Sequence, residues 1–174
     1  MQESFNEKAK VIWLYGLSGS GKTTLAHGLA HHLAANKTPH YLLDGDVLRL
    51  GLNKDLGFSE ADRTENLRRA AELAKILKEA GVTVICSFIT PTSKDRLNIS
   101  SIIGKDFFEV YVKCSIEECE RRDVKGLYFK ARQKELPNFT GVSAPFEIPE
   151  NNCLFVDTER ESYESCISQL IQLL

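Results

Sequence analysis

The sequence predicts an α/β fold in three layers, with a mostly parallel five-stranded sheet between helices. Three observations predict it. Five short apolar runs recur through the chain, most of them continuous rather than alternating, as suits strands buried on both faces. Helical patterns separate them, and strand–helix alternation gives a parallel sheet. A glycine-rich loop with a lysine joins the first run to the first helical pattern.

The runs are Val11–Leu17, His40–Asp46, Val82–Phe88, Phe107–Cys114 and Cys153–Thr158. Helices are expected over Lys22–Asn36, Glu60–Glu79, Ile116–Asp123 and Ser162–Leu174. The Glu60–Glu79 pattern sets Leu67, Ala70, Ala71, Ala74 and Leu77 on one face, and Gly81 reads as its stop. Residues 124–149 hold Pro137, Gly141, Pro145 and Pro149 and read as a functional lid whose ends return to the sheet.

The chain has 174 residues, enough for one domain, taken as 1–174, with a proper core. Its net charge of -2 argues against bulk attraction to nucleic acid. No apolar run approaches the ~20 residues of a membrane span. The polar start MQESFNEKAK has no signal-peptide core, and five cysteines without a CxxC pair fit a reducing cytoplasm.

Gly16-Leu17-Ser18-Gly19-Ser20-Gly21-Lys22-Thr23 matches GxxxxGK[ST] between a predicted strand and a predicted helix, the context this phosphate-binding motif requires. Backbone amides and the helix N-terminus would cradle phosphates. Lys22 would reach the β- and γ-phosphates, and Thr23 would offer its hydroxyl to Mg²⁺, with Thr24 following. The fold is thus of the P-loop NTPase type, with a nucleoside triphosphate as the expected ligand. Asn53, Lys54 and Asp55 are one residue short of the guanine-reading NKxD spacing, so they are set aside. His27 and His31 are four apart but lack further ligands, and are read as helix-face residues.

The second run ends LLDGD. In extended chain Asp44 and Asp46 would face the same side, one helping to orient Mg²⁺ and one accepting a proton from an attacking hydroxyl. Arg49 follows, then Arg63 and Asn66 at helical spacing, with guanidinium forks suited to phosphate or sulfate. Phe58 lies in a polar loop and is a candidate to stack on a base. Lys125, Lys130 and Arg132 make the lid basic, and Tyr128 is expected to anchor it.

The stretches GLSGSGKTT, LDGDVLR, LNKDLGFSEADRTENLRR, SFITP, CERRDVKGLYFKAR and FTGVSAPFEIP occur in order from about Val11 to Pro149. Together they resemble the adenylyl-sulfate kinases. The resemblance implies transfer of the γ-phosphate of ATP to the 3′-hydroxyl of adenosine 5′-phosphosulfate (APS). It implies Asp46 as general base, and Arg49, Arg63 and Asn66 holding the phosphosulfate. Phe58 and Phe139 would sandwich the acceptor adenine, with Asp44, Ile89 and Lys125 lining the acceptor side. It implies Arg122 against the ATP base, and a homodimer. Thr90 stands where the family usually has a serine. It is grouped with Lys22 and Asp46 at the reacting centre, as a hydrogen-bonding or packing residue, since direct transfer needs no phosphorylated side chain. Val47, Leu50 and Phe146 also depart from the usual Asn, His and Tyr. Two rival readings follow: a kinase for another 5′-modified nucleotide such as a cytidine diphosphoramidate, and a non-catalytic nucleotide-binding subunit of a sulfate-activating complex.

Overall fold

The computed structural model describes residues 9–150 and 153–174; the start of the MQESFNEKAK stretch lies outside them. The strands are β1 (Val11–Tyr15), β2 (His40–Asp44), β3 (Thr83–Phe88), β4 (Phe107–Lys113) and β5 (Leu154–Asp157). They form one sheet in the order β2-β3-β1-β4-β5. Every pairing is parallel. Central β1 is buried along its whole length, which is why its run VIWLY does not alternate.

The helices are α1 (Lys22–Ala35), α2 (Gly45–Leu50), α3 (Glu60–Glu79), α4 (Ser93–Ile103), α5 (Ile116–Arg122), α6 (Leu127–Arg132) and α7 (Tyr163–Ile171). Odd residues of β1 (Val11, Trp13, Tyr15) join Leu67, Ala70, Ala71 and Ala74 of α3 in one core. Even residues (Ile12, Leu14) join Leu25, Leu29 and Leu33 of α1 and Leu170 of α7 in the other. The period-2 side-chain direction of a strand thus feeds two cores from one sequence run.

The α3 helix begins and ends where expected. Ser59 caps it, its hydroxyl accepting from the Asp62 amide at 3.1 Å. Four of the five predicted face residues are buried, and Leu77 packs partly buried beside them.

Three helices were not expected from the sequence. The α4 segment SKDRLNISSII is rich in Ser and Asn, which compete with the helical backbone. Thr92 nevertheless caps it by accepting from Asp95 N, and Ile99 and Ile103 anchor its inner face. The α2 helix cuts short the run read as extended to Asp46. Asp44 Oδ1 accepts from Asp46 N at 2.9 Å and turns the chain into a helical first turn. The third, α6, lies inside 124–149. Its first turn is held by Asp123, whose carboxylate accepts from the Tyr128 and Phe129 amides at 3.0 Å each. Among the described residues no helix is long and apolar enough to cross a membrane.

Candidate active site

The glycine-rich loop leaves the carboxyl end of β1, with Gly16 N donating to Ile89 O of the β3 end at 3.2 Å. Gly16 has φ 153°, and a Cβ there would meet the Val112 carbonyl oxygen at 2.5 Å. Gly19 has φ 78°, and a Cβ there would lie 3.1 Å from the Cys119 carbonyl oxygen. A side chain at either place is excluded by backbone, which cannot yield. The loop is braced from outside. Tyr128 OH donates to Ser18 O at 2.9 Å, and Thr158 Oγ1 to Ser20 O at 2.7 Å. Arg122 reaches Thr158 O at 2.9 Å and lies 3.5 Å from Gly19 O.

Helix α1 starts from Gly21 without a side-chain cap, whereas α3, α4, α5 and α7 each have a Ser or Thr cap. Its unsatisfied first amides and positive dipole end leave room for an anion beside the loop. Lys22, 8 % exposed, opens this helix. Its Nζ donates to Leu17 O at 2.6 Å. Burial pulls its pKa down to about 8. Lys125 adds to the fall, while Cys119, Asp44 and Asp46 oppose it. A buried ammonium held mostly by neutral oxygen is a group that an anion would stabilise.

Thr23 Oγ1 donates to Asp44 Oδ2 at 3.3 Å and lies 3.3 Å from Ser87 Oγ. The sheet register sets Asp44 opposite Ser87. Three hard oxygen donors therefore gather at the loop's edge, a donor set that fits Mg²⁺ and not a soft metal. The two carboxylates of LDGD do not share one side by strand alternation, because the strand stops between them. Asp44 serves Thr23 and the α2 cap; Asp46, exposed on the first turn of α2, is salt-bridged to Lys125.

Arg49 stacks over the Phe58 ring at 4.5 Å and donates to Gly57 O at 2.7 Å. Arg63 donates to three neutral oxygens: Phe58 O at 3.1 Å, Thr140 Oγ1 at 2.9 Å and Asn138 O at 2.5 Å. One guanidinium thus links the segment carrying Phe58 to the segment carrying Phe139. Burial lowers its pKa, and the neighbouring charge of Arg49 lowers it further. Among the described residues no carboxylate is salt-bridged to Arg63. Phe58 is 65 % exposed, and Phe139 packs edge-on against Tyr128 at 5.1 Å. Asn66 is buried, with Oδ1 accepting from Asn53 Nδ2 at 2.9 Å.

Thr90 is 1 % exposed and adopts φ 46°. Its Oγ1 accepts from Trp13 Nε1 at 2.9 Å, so its hydroxyl serves the core beneath the site. Arg132 is bound to Glu120 of α5, so it is tied to that helix and is not a free cation of the cover. The far end of 124–149 is tied down too, Glu147 N donating to Pro91 O at 2.8 Å and Arg96 Nη2 to Glu147 O at 2.9 Å. A cavity of about 550 Å³ lies behind this segment, lined by Leu17, Tyr111, Ile116, Gly141, Phe146 and Ile148. Of the predicted site residues it includes Leu17 alone.

The sequence reading missed Ser87, Asn53 and Thr158. Ser87 was within reach, since it is the penultimate residue of the strand that pairs with the one ending in Asp44. Thr158 and Asn53 carry no motif, and only the fold brings them to the loop and to Asn66.

The sequence model of the adenylylsulphate kinase family matches residues 8–157. An adenylyl-sulfate kinase of Bacillus licheniformis is 50% identical over 171 residues, spanning 98% of this chain and 87% of that protein. One of Clostridium acetobutylicum is 48% identical over 173 residues, spanning 99% and 86%. Among solved structures, the Mycobacterium tuberculosis APS kinase CysC in complex with AMPPNP and APS superposes with a TM-score of 0.92. It shares 42% identity and covers 97% of this chain and 98% of that one. A hexameric APS kinase from Thiobacillus denitrificans aligns with a TM-score of 0.73 at 27% identity, with this chain matching 29% of that one. A family match over residues 8–157, with relatives 48–50% identical across nearly the whole length, shows that this chain belongs to the adenylylsulphate kinase family.

Proposed function

We propose that the protein transfers the γ-phosphate of ATP to the 3′-hydroxyl of adenosine 5′-phosphosulfate. One observation carries the reading: Thr23 of the phosphate loop is hydrogen-bonded to Asp44, whose other oxygen accepts from the backbone of Asp46, the carboxylate paired with Lys125. The phosphate end and the acceptor-side carboxylate therefore share one cleft, as an in-line transfer requires.

The loop amides from Gly16 to Thr24 and the α1 N-terminus bind the phosphate chain, and Lys22 neutralises charge on the transferring group. Thr23 and Asp44, with Ser87 beside them, would hold Mg²⁺, which would supply neutralising charge to the phosphate chain. Asp46 takes the proton of the 3′-hydroxyl. Arg49 and Arg63, two cations without a carboxylate salt bridge among the described residues, together with Asn66, take the phosphosulfate. Phe58 and Phe139 flank the acceptor base, Ile89 and Lys125 line its pocket, and Arg122 borders the ATP base. The 124–149 lid excludes water, which would compete as acceptor. Thr90 acts from the core through Trp13, and the phosphate passes directly from donor to acceptor. The reading extends to a homodimer in a reducing cytoplasm.

Val47 and Leu50, the two departures beside Arg49, are 64% and 84% exposed. Val47 borders a hollow that it shares with Tyr41, Leu73 and Leu77 and also with Asp44, so the acceptor is decided by assay and not by these two positions. A coupled assay with ATP, Mg²⁺ and either APS or a cytidylyl acceptor tests the reading. Turnover restricted to APS is expected. Turnover restricted to the cytidylyl acceptor, or none with either, overturns it. Sedimentation velocity tests the dimer.

A further inference from the structure

Asn53 is a buried polar side chain that the reaction does not use. It lies between α2 and α3, 0 % exposed. Its backbone is held at both ends, N donating to Leu48 O at 2.8 Å and O accepting from Leu56 N at 3.1 Å. Its side chain makes one hydrogen bond, Nδ2 to Asn66 Oδ1 at 2.9 Å. Its own Oδ1 is buried with no partner among the described residues. A buried, unpaired carbonyl weakens a fold, so stability alone gives no reason for an amide at this position.

The reason lies in Asn66. A carboxamide can turn either its oxygen or its NH₂ toward a given side. With the oxygen engaged by Asn53, Asn66 turns its NH₂ the other way. Arg63 precedes Asn66 by three residues on α3, so the two lie on neighbouring turns of one helix face. An anion bound there is stabilised by an N–H and repelled by a carbonyl oxygen. The opposite flip of both amides would leave the Asn53 NH₂ buried and unpaired, and orphaned N–H groups are rarer than under-satisfied carbonyls.

We propose that Asn53 is a positioning residue for the acceptor: it engages the Asn66 carbonyl so that the Asn66 NH₂ is presented to the acceptor's anionic group. The inference rests on the reading that Asn66 meets the phosphosulfate.

The test is a double-mutant cycle on the full chain, with KM for APS and for ATP measured for N53A, N66A and N53A/N66A. KM does not depend on how much of a preparation is folded, so partial instability does not disguise the result. N53A and N66A should each raise the APS KM by about tenfold or more, the loss typical of a hydrogen bond to a charged group. ATP KM should stay within about twofold, and the double variant should be no worse than N66A. N53D provides a second arm if N53A fails to fold. A carboxylate only accepts, so it would draw the Asn66 NH₂ toward itself and raise the APS KM at least as far as N53A does. Multiplicative losses in the double variant, or equal losses for both nucleotides, overturn the positioning role while leaving the kinase reading intact. An APS KM unchanged in N66A overturns both the role of Asn66 and the inference. A wild-type protein inactive with APS overturns the function and the inference with it.

Discussion

The ammonium of Lys125, in the lid, is salt-bridged to the carboxylate of Asp46, 79 residues earlier on the first turn of α2. Both side chains are more than half exposed, and such a pair contributes only ~0–1 kcal/mol. An incoming acceptor hydroxyl can therefore displace Lys125 from Asp46 at little cost. Asp46→Asn should lower kcat by ~10²–10⁴-fold with ATP affinity nearly unchanged. Asp44→Asn should instead raise the Mg²⁺ concentration needed for half-maximal rate. Steady-state kinetics at varied Mg²⁺ separates the two, and normal turnover by Asp46→Asn with a dead Asp44→Asn would reverse the assignment.

Lys22 gives a pH signature. Burial holds its pKa at about 8, below the ordinary 10.5. Between those values the folded chain binds fewer protons than the unfolded chain, so stability should rise with pH across that window. The penalty is fully present below pH 8. Lys22→Met should lack this rise in denaturant titrations. The polyphosphate of ATP favours the charged amine and should restore its proton, so binding near pH 8.5 should take up protons. Calorimetry in two buffers of different ionisation heat checks this. Proton release, or the same uptake in Lys22→Met, would count against it. Turnover should vanish in Lys22→Ala.

Arg63 gathers three oxygens from two segments, a task that depends on the fork of a guanidinium and not only on its charge. Arg63→Ala should raise the acceptor KM about tenfold or more with little change for ATP, on the scale of a lost charged hydrogen bond. Arg63→Lys should recover little of it. Full rescue by lysine would show that charge alone matters, and equal losses for both nucleotides would indicate a defect in the fold.

Thr90 supports Trp13. Thr90→Val keeps the branched shape and removes the acceptor of a buried indole N–H, which should cost ~1–3 kcal/mol. A fall in Tm of roughly 2–4 °C per kcal/mol is expected for a chain of this size. Thr90→Ala should retain substantial activity, and chiral γ-phosphate should arrive inverted at the 3′-oxygen. Net retention, or a phosphothreonine at this position that discharges competently to the acceptor, would defeat direct transfer.

What the sequence made legible follows from how local each signal is. The phosphate loop and α3 were readable because their glycines, cap and apolar face lie within one short stretch. The five strands were readable as short apolar runs, most of them continuous. The Asp44–Asp46 relation was misread, because a single side-chain cap at Asp44 converts strand to helix within one residue and period-2 reasoning does not register caps. The α4 helix was hidden by its serines and asparagine. Asn53 was set aside as a failed guanine motif, and only its distance to Asn66, thirteen positions on, gives it a place. Tertiary neighbours of this kind leave no periodicity behind.

The lid is fastened at both ends: Tyr128 is hydrogen-bonded to the phosphate loop, and Glu147 to the end of β3 and to α4. A flap hinged at one end swings, but a strap held at two can only bow outward between its anchors. Between them Arg63 holds Asn138 and Thr140 as well, so any bowing of the segment has to release that guanidinium or stay within the short spans on either side of it. The entropy lost on each closure is correspondingly small. The anchor at Ser18 also ties the glycine-rich loop and the 124–149 segment into one mechanical unit.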